Sequence, residues 1–594
     1  MKIEWDYSSL VSGDLDKQIV KEKMVIREKV DAFVSKWKGR TDYLESPRIL
    51  RGALDELEDL MANYGTSGNV GHYLWLRKMK DQTDEEIKAK FELINQFDEE
   101  MSNSLVFFGL SLREINKEKQ KEVLESSDLI KYKHYLERVF RRADFMLSEE
   151  VEKVLNLKSG PSYSSWISML SELLSKEERE VWTGEKKEVK GFSEILGLLV
   201  SSDSKITDSC GEAINDILED RADLAVAQIN AILKDKKVDD ELRGYSRPDE
   251  ARIVSDDVDF AFVDELLEVV SSRFNISRRF YELKAKLLGK EKLKYYERVV
   301  DYGEVSREIK YEEAVEIVYS AFCKMDNEFG EIFGKFVRDG NVDVYPAKGK
   351  GQGAFCSWGL KIHPINIFLN YMNSISDVST LAHESGHGIN NELMKRNISL
   401  DFGVPMAVAE VASNFAEGVV FEDLLSRVES DEERLVMMVS KIGDDLSSIS
   451  RQVACYLFEE ELHDRFREEG NLSKEVIGEI FHKNMKAYMG DFVEHPDSSY
   501  NWWVYWPHIR DYFYVYSYAS GCLIANAMIS KYKEDSRFAL KVKEFLSFGK
   551  SLSPKDSFGF LGIKLDEKFW NEGLDNIEKL LNETWRLAEK LGKI

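Results

Sequence analysis

The chain has 594 residues, 43% hydrophobic, 11% aromatic and 32% charged, which excludes a disordered or collagen-like polymer. Against 82 Lys and Arg stand 108 Asp and Glu, a formal net charge of −26, so no general affinity for nucleic acid is expected. No apolar run reaches the roughly 18 residues of a membrane span, the five scattered cysteines form no CxxC pair, and MKIEWDYSSL has no signal-type apolar stretch. A cytoplasmic location without membrane or disulfide framework is the expectation.

Only nine prolines interrupt the chain, and apolar residues recur at three- and four-residue spacing. Examples are Val315, Val318 and Phe322, or Val453, Leu457, Leu462 and Phe466. The fold class expected is mainly α. Residues 1–190 read as an N-terminal region of helical hairpins, in which KEKQKEVLE and SKEEREVWTGEKKEVKG are solvated helix faces and connections. Residues 191–594 form the remainder and hold every motif below. No linker marks the boundary, and interleaving of the two regions is expected. Between 340 and 372, glycines separate alternating apolar residues such as Ile365, Ile367 and Leu369, the signature of a small β-sheet.

SDVSTLAHESGHGINNELMKRN follows at once and reads as a helix, with Asp377 as N-cap and Asn397 as stop. It contains His383-Glu384-Ser385-Gly386-His387, in which two histidines four apart share a helical face and can share one metal. Zinc suits two imidazoles and a carboxylate, and Glu384 stands beside the first ligand as a proton acceptor. Gly386 and Gly388 each weaken the helix by up to about 1 kcal/mol, which suggests a close approach there.

The third ligand cannot be a histidine in the xxGxxH position, because Leu393 occupies it. A helix opened by Pro405, PMAVAEVASNFAEGVVFEDLL, offers Glu410 instead. Its carboxylate interrupts small apolar residues, where burial without a partner is costly. An exposed or salt-bridged carboxylate is the alternative. Glu417, two turns later on the same face, is placed to hydrogen-bond a metal ligand. Downstream, WPHIRDYFYVYSYASG supplies His508 and four tyrosines, donor types suited to an oxyanion. Tyr514 and Tyr518 would share one helical face and Tyr512 and Tyr516 another; from the residues alone an aromatic core or interface stripe is the favoured reading of all four.

The ordered set GAFCSWG, LNY, TLAHESGHG, AEVASNFAEG and WPHIRDYFYVYSYASG, within about residues 350–525, resembles the zinc oligopeptidases that include oligoendopeptidase F and the thimet oligopeptidases. The short FYVYSYASG form is closer to the oligoendopeptidase F branch. The resemblance implies a two-lobed helical fold around a deep channel, with the small sheet beside the active-site helix. It implies one Zn2+ per chain on His383, His387 and Glu410, Glu384 as base, and His508 with a tyrosine of the Tyr514/Tyr518 stretch on the oxyanion. Gly353, Ala354 and Phe355 would pair with the substrate backbone. The function implied is endopeptidase action on short unfolded oligopeptides. A zinc exopeptidase and a non-enzymatic helical peptide-binding scaffold are the alternatives.

Overall fold

Apolar residues at three- and four-residue spacing and few prolines produce a chain built mainly of helices. The structure, a computed structural model, describes residues 1–303 and 308–594. Elements used below are, in chain order, α1 (Gly68–Lys80), α2 (Glu85–Leu112), β1 (Glu178–Trp182), β2 (Lys187–Gly191), α3 (Ser204–Arg243) and α4 (Asn327–Asp339). They continue with β3 (Val342–Asp343), β4 (Phe355–Ser357), β5 (Asn366–Phe368), α5 (Ile375–Met394), α6 (Val411–Arg427), α7 (Ser450–Glu469) and α8 (Tyr516–Glu534). Among the described residues no helix is long and apolar enough to cross a membrane.

The chain divides into two compact units, each assembled from separated stretches. The first comprises Met1–Glu149, Arg307–Leu424 and Met528–Ile563. Its N-terminal helices bury Phe33, Trp37, Tyr43, Phe108 and Tyr132 in one core. A second core joins Trp5, Tyr73, Leu74 and Ile94 to Phe368 of β5. The Trp5 indole donates to the Ile367 carbonyl at 2.9 Å, so the chain's beginning is pinned to the sheet. That sheet has the order β3-β5-β4, with β3 parallel and β4 antiparallel to β5. β4 is therefore an edge strand.

The second unit comprises Glu150–Ser306, Leu425–Ala527 and Lys564–Ile594. It is organised on α3, a 40-residue helix capped by Asp203 at one end and by Gly244, in the left-handed region, at the other. The run around 178–191 corrects the expectation of helix faces and connections: it is the antiparallel hairpin β1–β2. Alternation decides this, since Val181 is buried while its neighbours Glu180 and Trp182 lie outward, a period of two. The hairpin is tied to α3 by Ser209 Oγ accepting from Trp182 N and by Arg179 bridging Asp216 and Asp220. KEKQKEVLE, by contrast, is the helix Lys117–Glu125.

Candidate active site

α5 starts one turn earlier than Asp377 suggested. Ser374 is its N-cap, accepting from Asp377 N at 3.1 Å, while the Asp377 carboxylate accepts from Ser374 N at 2.8 Å. This reciprocal pair satisfies two end donors, which a lone aspartate cap would not. Val378, Leu381, Ala382, Ile389 and Leu393 are buried along the helix. His383 and His387, one turn apart, keep their ring centroids 5.1 Å from each other.

The glycines explain how a carboxylate arrives beside them. A Cβ on Gly386 would lie 2.7 Å from the Ala412 carbonyl oxygen and 2.8 Å from Ala416 Cβ. Here α5 and α6 touch almost backbone to backbone, which only glycine permits. Gly388 makes the same allowance for the Phe336 ring of α4, 2.7 Å from where its Cβ would be. Glu410 is not inside a helix opened by Pro405. Met406–Val408 is a single 3-10 turn, and Glu410 occupies the turn just before α6. Standing at the head of α6, its carbonyl accepts that helix's first hydrogen bond from Asn414 N at 3.1 Å, and its Oε2 accepts from Ser413 Oγ at 3.0 Å.

From there Glu410 Oε2 lies 3.3 Å from His383 Nε2 and 3.5 Å from His387 Nε2. Donors bound tetrahedrally at about 2.0–2.1 Å stand about 3.3–3.4 Å apart, so these atoms are spaced to share one zinc-sized ion. All three donor atoms lie within 4.8 Å of one another. Behind them, Glu417 Oε2 is 3.1 Å from His383 Nδ1. Burial works against charge on His383, yet Glu410 and Glu417 raise it to about 10. Burial likewise opposes ionisation of Glu410, but its two imidazole contacts hold the carboxyl far below the usual carboxylate range. Three carboxyl groups around two imidazoles leave buried negative charge that a divalent cation would offset.

Glu384 is 7% exposed; burial raises its carboxyl, against the opposing pull of His383 and His387. The backbone N–H of Cys356 in β4 lies on the side of the Glu384 carboxyl and works against that rise. Burial, with Glu384 nearby, pushes the Cys356 thiol far up, so thiolate chemistry is not available there. Gly353 precedes β4 with φ of 76°, and its carbonyl accepts from Asn370 Nδ2 at 2.8 Å. Ala354 and Phe355 are half-buried.

His508, Tyr514 and Tyr518 lie in the second unit and form a cluster of their own. His508 Nδ1 is hydrogen-bonded to the Tyr514 hydroxyl, and the three ring centroids are 5.4–5.9 Å apart. Burial, with Arg451 contributing, pushes His508 down to about 4, so it is a neutral imidazole at pH 7. The four tyrosines do not share one helix as expected, because α8 begins only at Tyr516. Tyr512 and Tyr516 turn away from His508: their hydroxyls donate to the Ile232 carbonyl at 2.9 Å and to Asp256 at 2.7 Å.

The loop bearing Tyr514 is bent by two left-handed residues, Tyr512 and Phe513, with φ of 37° and 58°. Such conformations cost non-glycine residues of order 1 kcal/mol or more and need support from outside. Glu459 of α7 supplies it by accepting from Phe513 N at 2.8 Å, and Arg252 by donating to the Tyr512 carbonyl at 3.2 Å. Neither residue stood out in the sequence. An acid between Phe458 and Leu462 on an apolar face was the available signal for Glu459.

Comparison with known proteins identifies the family of the chain. The sequence profile of Peptidase family M3 matches residues 207–572, and that of Oligopeptidase F matches residues 112–177. The chain is 25% identical over 584 residues to an oligoendopeptidase F homolog of Borreliella burgdorferi, covering 97% of this chain and 96% of that one. It is 22% identical over 576 residues to oligopeptidase PepF of Bacillus subtilis, covering 94% and 85%. The crystal structure of oligoendopeptidase-F from Enterococcus faecium superposes with a TM-score of 0.74 at 19% identity, covering 97% of this chain and 100% of that one. With a family profile spanning well over half of its length and a His-His-Glu donor set in place, the chain belongs to peptidase family M3, as a metallopeptidase of the oligopeptidase F branch.

Proposed function

We propose that the protein is a cytoplasmic zinc endopeptidase that cuts internal bonds of short, unfolded oligopeptides, with one zinc per chain on His383, His387 and Glu410. The observation carrying this reading is the convergence of those donor atoms at the edge lengths of a tetrahedral site, next to a buried Glu384. A divalent zinc there would lower the pKa of an attacking water toward about 7 and polarise the scissile carbonyl.

The chain's own residues do the rest. Glu384 takes the proton from the attacking water and returns it to the leaving amine. Glu417 accepts from His383 Nδ1–H, which keeps the Nε2 lone pair directed at the donor cluster. His508 acts as a neutral donor with a tyrosine of the Tyr514/Tyr518 pair, stabilising the oxyanion. The Gly353–Ala354–Phe355 edge pairs with the substrate backbone, so an extended peptide is preferred to a folded one.

Glu384→Gln is the test. It is expected to retain one zinc per chain by elemental analysis yet lose at least about 100-fold in cleavage of peptides blocked at both ends. Near-normal turnover in this variant would refute the base, and trimming confined to unblocked ends would refute the endopeptidase reading.

A further inference from the structure

Next to β4, within the first unit, lies a cavity of about 500 Å3 whose walls come from α1, α2 and residues 356–363. Cys356 belongs to both places, lining the cavity while its backbone N–H and its thiol lie within electrostatic reach of the Glu384 carboxyl. The cavity wall therefore includes a neighbour of the proposed base. On α2, Phe91, Asn95 and Asp98 follow at spacings of four and three, one helical face turned inward. On α1, Gly68 and Gly71 contribute to the wall, and Trp75 adds a ring that packs edge-on against Phe355 of β4 at 5.2 Å. Trp358, 41% exposed, stands at the rim.

The charge in this cavity is one-sided. Asp98 is the only Asp, Glu, Lys or Arg in its lining and has no ion-pair partner among the described residues. His72 and His363, stacked at 4.9 Å, also face it. Burial pushes them down to about 4 and about 3, so neither offsets the carboxylate at neutral pH. An aromatic-walled recess with a single negative charge matches a long cationic side chain, whose methylenes pack on rings and whose head meets both quadrupole and carboxylate.

We propose that this cavity is a specificity subsite for a lysine or arginine of the bound peptide, with Asp98 as the residue that selects the charge. The inference rests on the reading that β4 holds the substrate backbone near Glu384.

The test uses the zinc-loaded protein and peptide pairs identical except for lysine or norleucine at each position around the cut. At one position the wild-type ratio of kcat/KM, lysine over norleucine, is expected to be about tenfold, the worth of one charge-assisted contact. Asp98→Asn should bring that ratio close to one, and Asp98→Lys should invert the preference toward a glutamate peptide. Each ratio is internal to one sample, so a loss of active protein does not imitate the effect. A wild-type ratio near one at every position, a preference for phenylalanine over lysine there, or a ratio unchanged in Asp98→Asn overturns the subsite and leaves the peptidase reading standing. Absence of cleavage of every peptide by the wild type overturns both.

Discussion

The Glu417 carboxylate lies 3.1 Å from Nδ1 of His383, while Nε2 of the same ring faces Glu410 Oε2 at 3.3 Å. The imidazole is thus held from both sides, by Glu410 just before α6 and by Glu417 within its first two turns. Removing the outer contact frees the ring to rotate and lets its tautomer exchange. Glu417→Gln is expected to weaken zinc binding about 10- to 100-fold, measured by competition with a chromophoric chelator. Affinity equal to the wild type would show that Glu417 does not orient His383.

The contact of Gly386 with α6 makes a second prediction that needs no substrate. Gly386→Ala places a methyl group 2.7 Å from the Ala412 carbonyl oxygen, against backbone that cannot yield easily. A cost of about 1–3 kcal/mol in stability is expected. Because Glu410 immediately precedes α6, zinc affinity should fall as well. Gly388→Ala meets the Phe336 ring instead and should lower stability with a smaller effect on zinc. Thermal denaturation with and without added zinc separates the two variants.

Glu459 carries a pH dependence whose sign is set by its burial. Desolvation raises its carboxyl to about 8, and its Oε2 is buried without a hydrogen-bond partner, as suits a protonated acid. The folded state then holds a proton that the unfolded chain releases above about 4.5, so this group makes stability fall as pH rises from about 4.5 to 8. The slope is at most about 1.4 kcal/mol per pH unit. Glu459→Gln keeps an acceptor for Phe513 N without the titration. It should match the wild type near pH 5 and be more stable at pH 8, by chemical denaturation at both values. Parallel stability curves for the two proteins would contradict this.

Tyr514 and Tyr518 are expected to differ in kind. The Tyr514 hydroxyl is engaged by His508 Nδ1; under the proposed function it positions the imidazole, while Tyr518, its ring 5.9 Å from that of His508, serves the oxyanion. Tyr518→Phe should lower kcat by about 100- to 1,000-fold with little change in KM. Tyr514→Phe should cost less and should raise the mobility of the His508 ring in NMR spectra. Equal losses in the two variants would remove the distinction.

Much of the chemistry was visible in linear order because it depends on local spacing. Two histidines four apart on a helix face one side whatever surrounds them, and period-two alternation marked the sheet between 340 and 372. An acid embedded among small apolar residues drew attention to Glu410 for the same reason, since burial without a partner is costly anywhere. Local pattern failed where several weak preferences compete. Ser374 outranked Asp377 as a cap because the two could satisfy each other's ends. Pro405 did not open α6, and residues 178–191 paired as strands despite their helix-like charge. No pattern along the chain could reveal that Gly386 is the contact drawing α6 onto α5, that Glu459 holds the Tyr512–Phe513 bend, or that Asp98 shares a cavity with Cys356. Those relations join residues 26 to 258 positions apart, and only packing of distant segments brings such groups within a few ångströms. Spacing along a helix determines which side chains share a face; the folded backbone determines what that face meets.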